Sequence, residues 1–334
     1  MHTDISAGTI QAFHLDGEGG GSGITREELE RWTPAGGPIW VHIFGEAPSS
    51  GSGQSSNPED WLRTGSGLSE AVCDGLLATE TRPRCTVFDE GLLVTLRGVN
   101  LNPGADPEDM VAIRLWLDRG RLITVCRRSL MAVGDMKTSI EQGSGPTSVA
   151  ELMTGVASNL LKRMVPTLED LSDAVDLLEE RAVCDSSKEI QTDLAEYRRQ
   201  VISLRRHLAP QREAMGQLAH TTSKVLGDSD RHSMKLLADH VTRFVEELDE
   251  LRELTAVTHD LLLSRQSDQM NQRMLTLSIV TTIFLPLGLV TGLLGINVGG
   301  IPGSTHEWAF VGVCGILLAL TGLQLLIMRH KKWF

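Results

Sequence analysis

The sequence has few aromatic residues and few cysteines. Only 4% of its 334 residues are aromatic, and its five cysteines form no closely spaced pair, which excludes a disulfide-stabilised scaffold. With 41% hydrophobic and 22% charged residues, a disordered chain is excluded as well. The formal net charge of −12 argues against nucleic-acid binding. The sequence contains no phosphate loop, paired-histidine metal motif or Ser/His/Asp spacing, so we expect neither an enzyme nor a covalently bound cofactor.

Charge is nearly absent from the C-terminal end. Of the 31 basic and 43 acidic residues, only four basic and one acidic lie within 273–334. Residues 275–296 and 308–328 contain no Asp, Glu, His, Lys or Arg. A helix over the first of these runs would be about 33 Å long, and the hydrocarbon core of a bilayer is about 30 Å thick. The sequence therefore predicts an acidic body followed by two transmembrane helices, 275–296 and 308–328.

The charges that flank these spans predict their orientation. Arg265 and Arg273 precede the first span, a basic tail at 329–334 follows the second, and the connection 297–307 has no Lys or Arg. Because basic residues favour the cytoplasmic side, both termini are expected in the cytoplasm and the connection outside. The N-terminal 30 residues resemble no cleaved targeting segment. We therefore expect a multi-pass protein of the cell (inner) membrane.

Residues 1–145 alternate between short β-type runs and helical segments, which predicts an α+β cytoplasmic domain with a mixed or antiparallel sheet. Short turns at 89–91 and 118–120 predict two antiparallel hairpins. The glycine-rich segments 17–23 and 45–56 are expected to be surface loops. The predicted strands are 9–15, 38–44, 84–88, 92–97, 112–117 and 122–127, and the predicted helices are 58–63 and 68–79.

Helices follow from residue 146 onwards. Apolar residues at helical spacing predict antiparallel cytoplasmic helices within 146–230, the second of them capped by Ser186 with Glu189. Nothing then breaks the pattern from 231 to 296, which predicts one helix about 99 Å long. Its part 231–274 is expected to be a stalk that continues into the first span.

One face of this long helix changes from acidic to small and polar. Since two spans cannot enclose a lumen, several chains would form a ring with this face inward, and the acids would draw cations to the cytoplasmic mouth. The alternative is that the acids are simply solvated and that Gly288 and Gly292 only pack helices together. The stalk residues of this face are Asp239, Glu246, Asp249, Glu253, Asp260 and Asp268, and its pore-lining residues are Asn271, Met274, Ser278, Thr281, Leu285, Gly288 and Gly292.

The absence of charge from both spans limits the chemistry of such a pore. It excludes a voltage sensor and a carboxylate relay at the bilayer midplane. A divalent cation is therefore expected to cross largely hydrated, past constrictions at Met274 and Leu285 that close by dewetting. Pro286 has no N–H and leaves the Thr282 carbonyl without its helical partner, so this point is either a flexing site or a plain kink.

Three segments of the long helix resemble the CorA superfamily of divalent-cation transporters. They are 271–274 (Asn-Gln-Arg-Met), 281–287 (Thr-Thr-Ile-Phe-Leu-Pro-Leu) and 295–297 (Gly-Ile-Asn). The resemblance implies a homopentamer with a cytoplasmic funnel domain, a long stalk helix, two spans and a basic C-terminus.

The resemblance also implies roles for single residues. Gly295, Ile296 and Asn297 take the places of the selectivity filter, where the Asn297 amide holds a hydrated cation at the outer mouth. Asn271, Met274 and Leu285 take the places of pore-constricting residues. Asp260 falls where magnesium channels of the superfamily carry a regulatory acid.

The segment 295–303 (Gly-Ile-Asn-Val-Gly-Gly-Ile-Pro-Gly) is similar to the ZntB zinc-transporter branch of that superfamily, as are 80–84 (Glu-Thr-Arg-Pro-Arg) and 209–212 (Ala-Pro-Gln-Arg). The resemblance therefore implies zinc as the transported substrate. A magnesium, cobalt or nickel channel of the same superfamily is the first alternative, and a membrane-anchored sensor or scaffold is the second. The direction of transport and its coupling to protons stay open.

Zinc chemistry by itself adds little to this interpretation. Zinc prefers about four Cys, His or carboxylate ligands, and the histidines of the helical region are scattered, so we expect them at the surface. His306 and Glu307 are neighbours at the predicted outer mouth, where they either attract a cation or anchor the chain at the interface. The scattered histidines are His207, His220, His232, His240 and His259.

Overall fold

The computed structural model describes residues 9–45, 58–184, 187–296 and 307–330. The chain forms two compact units, Met1–His259 and Asp260–Phe334. The predicted filter residue Asn297 and the predicted outer-mouth residue His306 lie outside the described residues.

A seven-stranded mixed sheet organises the first unit, and its strand order is β2-β1-β3-β7-β6-β5-β4. Neighbouring strands are antiparallel except for β3 and β7, which are parallel. Six strands and both hairpins were predicted, and the predicted fold class is confirmed. The strands are β1 Thr9–Leu15, β2 Gly21–Ile24, β3 Ile39–Phe44, β4 Arg84–Val87, β5 Leu92–Gly98, β6 Val111–Leu117 and β7 Arg121–Cys126.

Strand β2 includes residues 21–23 of the segment 17–23, which was expected to be a surface loop, so the prediction was wrong for these three residues. Phe13 of β1 lies opposite Gly23 of β2, so the glycines pair through their backbone groups. A Cβ at Gly21 would lie 2.7 Å from the carbonyl oxygen of His14. Because strand pairing uses the main chain, a glycine-rich segment can form a strand without any side-chain pattern that predicts it.

Helices cover both faces of the sheet. Alternate residues of each strand point to opposite faces, so Leu93 packs in one core with Leu76, and Val94 packs in the other with Val156. The helices of this unit are α1 Arg26–Glu30, α2 Pro58–Asp60, α3 Glu70–Leu77, α4 Met131–Glu141, α5 Val149–Lys162, α6 Val165–Cys184, α7 Lys188–His220 and the first part of α8 Asp228–Leu294, and a π-helical turn, Trp61–Gly65, follows α2.

Two details of the helical region differ from the predictions. The N-cap of α7 is Ser187, whose hydroxyl accepts a hydrogen bond from the Ile190 N–H at 3.5 Å. Ser186, which was predicted to be the cap, lies outside the described residues. His207 was expected at the surface, but it is half-buried and its Nε2 lies 3.5 Å from Nη1 of Arg97.

The second unit contains the C-terminal part of α8 and α9, which spans Ala309–His330. Both helices are long and apolar enough to cross a membrane, with mean hydropathies of 2.1 and 2.3 over their most apolar windows. The described residues of the chain bury none of either window. Apolar surface of this extent is stable only against lipid or against other chains.

Candidate cation-conducting surface

Helix α8 buries one face against the first unit. The buried residues recur every three or four positions, as in an amphipathic helix. The predicted stalk acids Asp239, Glu246 and Glu253 lie on the other side of the helix and are exposed. Within the first unit, the buried residues of α8 are Met234, Leu237, Val241, Val245, Leu248, Leu251, Thr255 and Thr258.

Asp249 is a predicted stalk acid whose charge a neighbouring cation neutralises. Nη2 of Arg205 on α7 donates to its Oδ2 at 3.1 Å, and the Nε of Arg205 donates to its Oδ1. These hydrogen bonds hold the pKa of Asp249 below its usual value. Asp249 lies between the buried and exposed faces of α8, and its paired charge adds little to a field that attracts cations.

In the second unit, the half-buried residues of α8 and α9 mark the faces by which the two helices approach each other. A hydrogen bond joins these helices, because Nε2 of Gln324 on α9 donates to the main-chain oxygen of Thr282 on α8 at 3.2 Å. Within 275–328, the half-buried residues are Ile279, Ile283, Pro286, Leu287 and Val290 on α8, and Ala309, Val313, Cys314, Leu317, Leu320, Thr321 and Gln324 on α9.

The predicted pore-lining residues lie about 155° around α8 from this α9-facing side, at about 100° per residue. All seven are exposed, with 57% of Met274 and 66% of Leu285 accessible. Apart from the adjoining residues and backbone of α8 itself, no atom of the described chain lies within 4 Å of a Cβ built at Gly288 or Gly292. We name this side of α8, which carries Asn271, Met274, Ser278, Thr281, Leu285, Gly288 and Gly292, the small-residue face.

Hydroxyl groups give the small-residue face a specific chemistry. The Thr281 hydroxyl donates to the Leu277 carbonyl at 2.8 Å, which uses its only proton within the helix. Its oxygen can therefore present only lone pairs to a group outside the helix. Such oxygens accept hydrogen bonds from the water shell of a cation.

The remaining predicted site residues with a described position lie before or after the small-residue face in the sequence. Asp260 and Asp268 are exposed, as are Gly295 and Ile296 just after the end of α8. Glu307 is exposed near the start of α9. The described residues contain no group of three or more His, Cys, Asp or Glu side chains placed to hold a metal ion.

Gln324 is a residue of this region that sequence reasoning missed. It is the one amide side chain within 308–328. In the other span, Pro286 leaves the carbonyl of Thr282, four residues before the proline, without its helical donor. These two signals together could have predicted the contact.

Comparisons with known proteins agree with this architecture. Residues 50–330 match the family model of the CorA-like Mg2+ transporter protein. The chain is 37% identical over 330 residues to the divalent cation transporter CmaX of Pseudomonas aeruginosa, covering 98% of this chain and 97% of that protein. It is 31% identical over 329 residues to the zinc transport protein ZntB of Yersinia enterocolitica, covering 97% and 95%. The solved structure of the full-length CmaX protein has a TM-score of 0.83 at 36% identity, covering 99% of this chain and 100% of that one.

These matches include the sheet, the long helices and both apolar helices. They assign the chain to transporters rather than enzymes, as the absence of enzyme motifs predicted. The chain belongs to the CorA-like family and is a membrane transporter of divalent cations.

Proposed function

We propose that the protein transports zinc as a hydrated ion through the axial pore of a homopentamer, with the small-residue face of α8 lining the pore. The observation that carries this proposal is the position of that face, which the described residues of the chain leave uncovered and which is turned away from α9. A ring of chains would cover it from both sides and leave a narrow polar path.

The proposed path has three parts. Exposed carboxylates of α8, chiefly Asp239, Glu246 and Glu253, raise the local concentration of cations at the cytoplasmic mouth. Within the bilayer, hydroxyl oxygens accept hydrogen bonds from the water shell of the ion, and Met274 and Leu285 close the path by dewetting. At the outer mouth, Asn297 holds the hydrated ion, and both termini lie in the cytoplasm.

Zinc is favoured over other cations by resemblance. The segment 295–303 is similar to that of ZntB transporters, and a relative named a zinc transport protein is 31% identical over almost the whole chain. The second candidate substrate is magnesium, which the description of the family model names. A sensor or scaffold anchored by α8 and α9 would need no uncovered polar face in the membrane.

Purified full-length protein in liposomes that contain a zinc-sensitive dye tests the proposal. We expect zinc uptake that excess magnesium does not compete away, and an Asn297→Ala variant that assembles normally but loses this uptake. Strong magnesium flux without zinc flux would identify the magnesium channel instead. A monomer in native mass spectrometry would exclude a pore and favour the anchored sensor.

A further inference from the structure

Four arginines converge on one face of the sheet in the first unit. Arg84 of β4 lies opposite Thr95 of β5, and Thr95 lies opposite Arg114 of β6. In the next row, Arg97 of β5 lies opposite Ala112 of β6. Arg127 follows the last residue of β7 and continues this row. We name Arg84, Arg97, Arg114 and Arg127 the arginine cluster.

The arginine cluster lies where two sequence segments meet. Thr81 and Arg84 belong to the segment 80–84, and Gln211 belongs to 209–212. The Gln211 side-chain oxygen accepts from the Arg97 main-chain N–H at 2.7 Å, and the Arg97 Nε donates to the Thr81 carbonyl at 3.0 Å. The transport path proposed above uses neither segment.

The guanidinium groups of Arg97, Arg114 and Arg127 donate to neutral acceptors. Arg114 Nη2 donates to the Ala78 carbonyl at 2.7 Å, and Arg127 Nη2 donates to the Leu77 carbonyl at 3.3 Å. Within the described ranges, no carboxylate forms an ion pair with any of the four arginines. The adjacent Arg128, by contrast, pairs with Asp109 at 2.6 Å.

Arg114 is the most deeply buried member of the cluster. Only 1% of it is exposed, and its Nε has no hydrogen-bond acceptor in the part of the chain that the structure describes. Burial and the neighbouring arginines lower the pKa of Arg114 to about 10. A buried charge without a counter-charge is costly, so this arrangement is incomplete without an anion.

A cavity of about 100 Å³ opens among these side chains. Arg97, Arg114 and Arg127 line it, together with Thr81 and Ala112. Arg128 lines it as well, and none of the described residues that line it is acidic. A second cavity, of about 570 Å³, shares Arg114 and Arg127 and is also lined by Arg63 and by its ion-pair partners Glu59 and Asp74.

We propose that the arginine cluster binds a phosphate-type oxyanion in the cavity above Ala112. A guanidinium presents parallel N–H groups that match two oxygens of one oxyanion, which a monatomic anion cannot provide. The anion is either free inorganic phosphate or the terminal phosphate of a larger molecule that occupies the adjacent cavity. The site is independent of the transport path and of the choice between zinc and magnesium.

Equilibrium dialysis of the full-length protein in nanodiscs against ³²P-orthophosphate tests this proposal. In a buffer without other oxyanions we expect saturable binding of one phosphate per chain, competed by sulfate and not by equal chloride. Arg127→Gln should weaken binding about tenfold, because it removes one charged hydrogen-bond donor. Arg26→Gln is the matched control, since Arg26 pairs with Glu30 on α1.

A second variant keeps the test informative if arginine variants fold poorly. Ala112→Glu places a carboxylate among the guanidinium groups, so it should abolish phosphate binding and raise the Tm in phosphate-free buffer. Ala112→Gln fills the same space without charge and should not raise the Tm.

The outcomes separate the sources of the anion and the competing explanations. Tighter binding of ATP than of orthophosphate identifies a terminal phosphate, and the reverse identifies free phosphate. Chloride that competes as well as sulfate overturns the oxyanion assignment. Absence of phosphate and nucleotide binding overturns the proposal, and a higher Tm of Ala112→Glu would then indicate a carboxylate from a second copy of the chain as the natural partner.

Discussion

The Gln324 side chain donates to the Thr282 carbonyl, which Pro286 cannot do because proline has no N–H. In an α-helix the carbonyl of Thr282 accepts from the N–H of residue 286, and proline has none. The Gln324 side chain of α9 donates to this carbonyl at 3.2 Å. The hydrocarbon core of a bilayer has no water to donate to this carbonyl. The contact therefore supplies the donor that the Thr282 carbonyl lacks, and it joins α9 to α8.

Replacement of Gln324 by Leu should therefore destabilise the pair of helices. We expect a loss of about 1 kcal/mol, which is typical of a hydrogen bond between transmembrane helices. Thermal unfolding of the full-length protein in detergent measures this loss as a lower Tm.

The Pro286→Ala background provides the control for this prediction. Alanine restores an N–H four residues after Thr282, so the Gln324→Leu change should cost less there. The two variants and their double mutant form a thermodynamic cycle. An equal cost in both backgrounds would mean that the Thr282 carbonyl does not depend on Gln324.

The small-residue face can be tested with two threonines that differ mainly in their direction. Thr281 lies on this face, and Thr276 lies about 140° away around α8. Each hydroxyl donates to the carbonyl four residues earlier, at 2.8 Å and 2.9 Å. Thr281→Val should lower the divalent-cation flux into liposomes several-fold, because it removes an acceptor for the water shell of the ion, whereas Thr276→Val should not. Equal effects of the two changes would contradict the assigned face.

The exposed stalk acids should act through their charge. Conversion of Asp239, Glu246 and Glu253 to amides should reduce the flux about tenfold at low ionic strength and much less at high salt, because salt screens such fields. Stopped-flow uptake at two salt concentrations measures the difference. The same loss at both concentrations would show that these acids do not steer cations.

Asp249 should behave differently from those acids because Arg205 holds it. Asp249→Asn should lower the free energy of unfolding by about 0.5 kcal/mol, a value typical of an exposed ion pair, and change the flux little. The Arg205→Gln variant removes the same ion pair and should lower the Tm similarly. A large flux defect in Asp249→Asn alone would show that Asp249 attracts cations as Asp239, Glu246 and Glu253 are proposed to do.

Burial of His42 predicts a loss of stability in acid. Its Nδ1 lies 2.8 Å from the Thr124 hydroxyl oxygen, which also accepts from the Trp40 indole N–H at 3.0 Å. Burial, with a smaller effect of the Lys137 charge, lowers the pKa of His42 to about 4. Between about pH 6.5 and about pH 4, His42 is protonated in the unfolded chain and neutral in the folded chain. The free energy of unfolding therefore falls as the pH drops through this range.

The size of this effect is on the order of 3 kcal/mol. His42→Gln should flatten the fall of the Tm between pH 6.5 and pH 4, since the glutamine amide can donate to or accept from the Thr124 hydroxyl and has no titrating ring. The exposed His240, changed in the same way, is the matched control. An unchanged acid slope in His42→Gln would show that His42 does not stay neutral in the folded state.

Much of this architecture follows from periodicity along the chain. Two uncharged runs are long enough to predict the membrane helices, and alternating apolar residues predict six strands within a residue or two. The repeat on α8 predicts which side of the helix is buried, because Leu237, Val241 and Leu248 lie on one stripe. These features depend on residues that are neighbours in sequence or one helical turn apart.

The tertiary structure decided the features that need distant partners. Strand β2 exists because β1 offers it backbone groups, and the charge of Asp249 is compensated because α7 brings Arg205 beside it. The arginine cluster forms because strand register aligns residues that are far apart in the chain. The sequence alone determined the local patterns, since they repeat at the period of a helix or strand. Only folding decided which charged groups and carbonyls lie next to each other, since those distances depend on the packing of the whole unit.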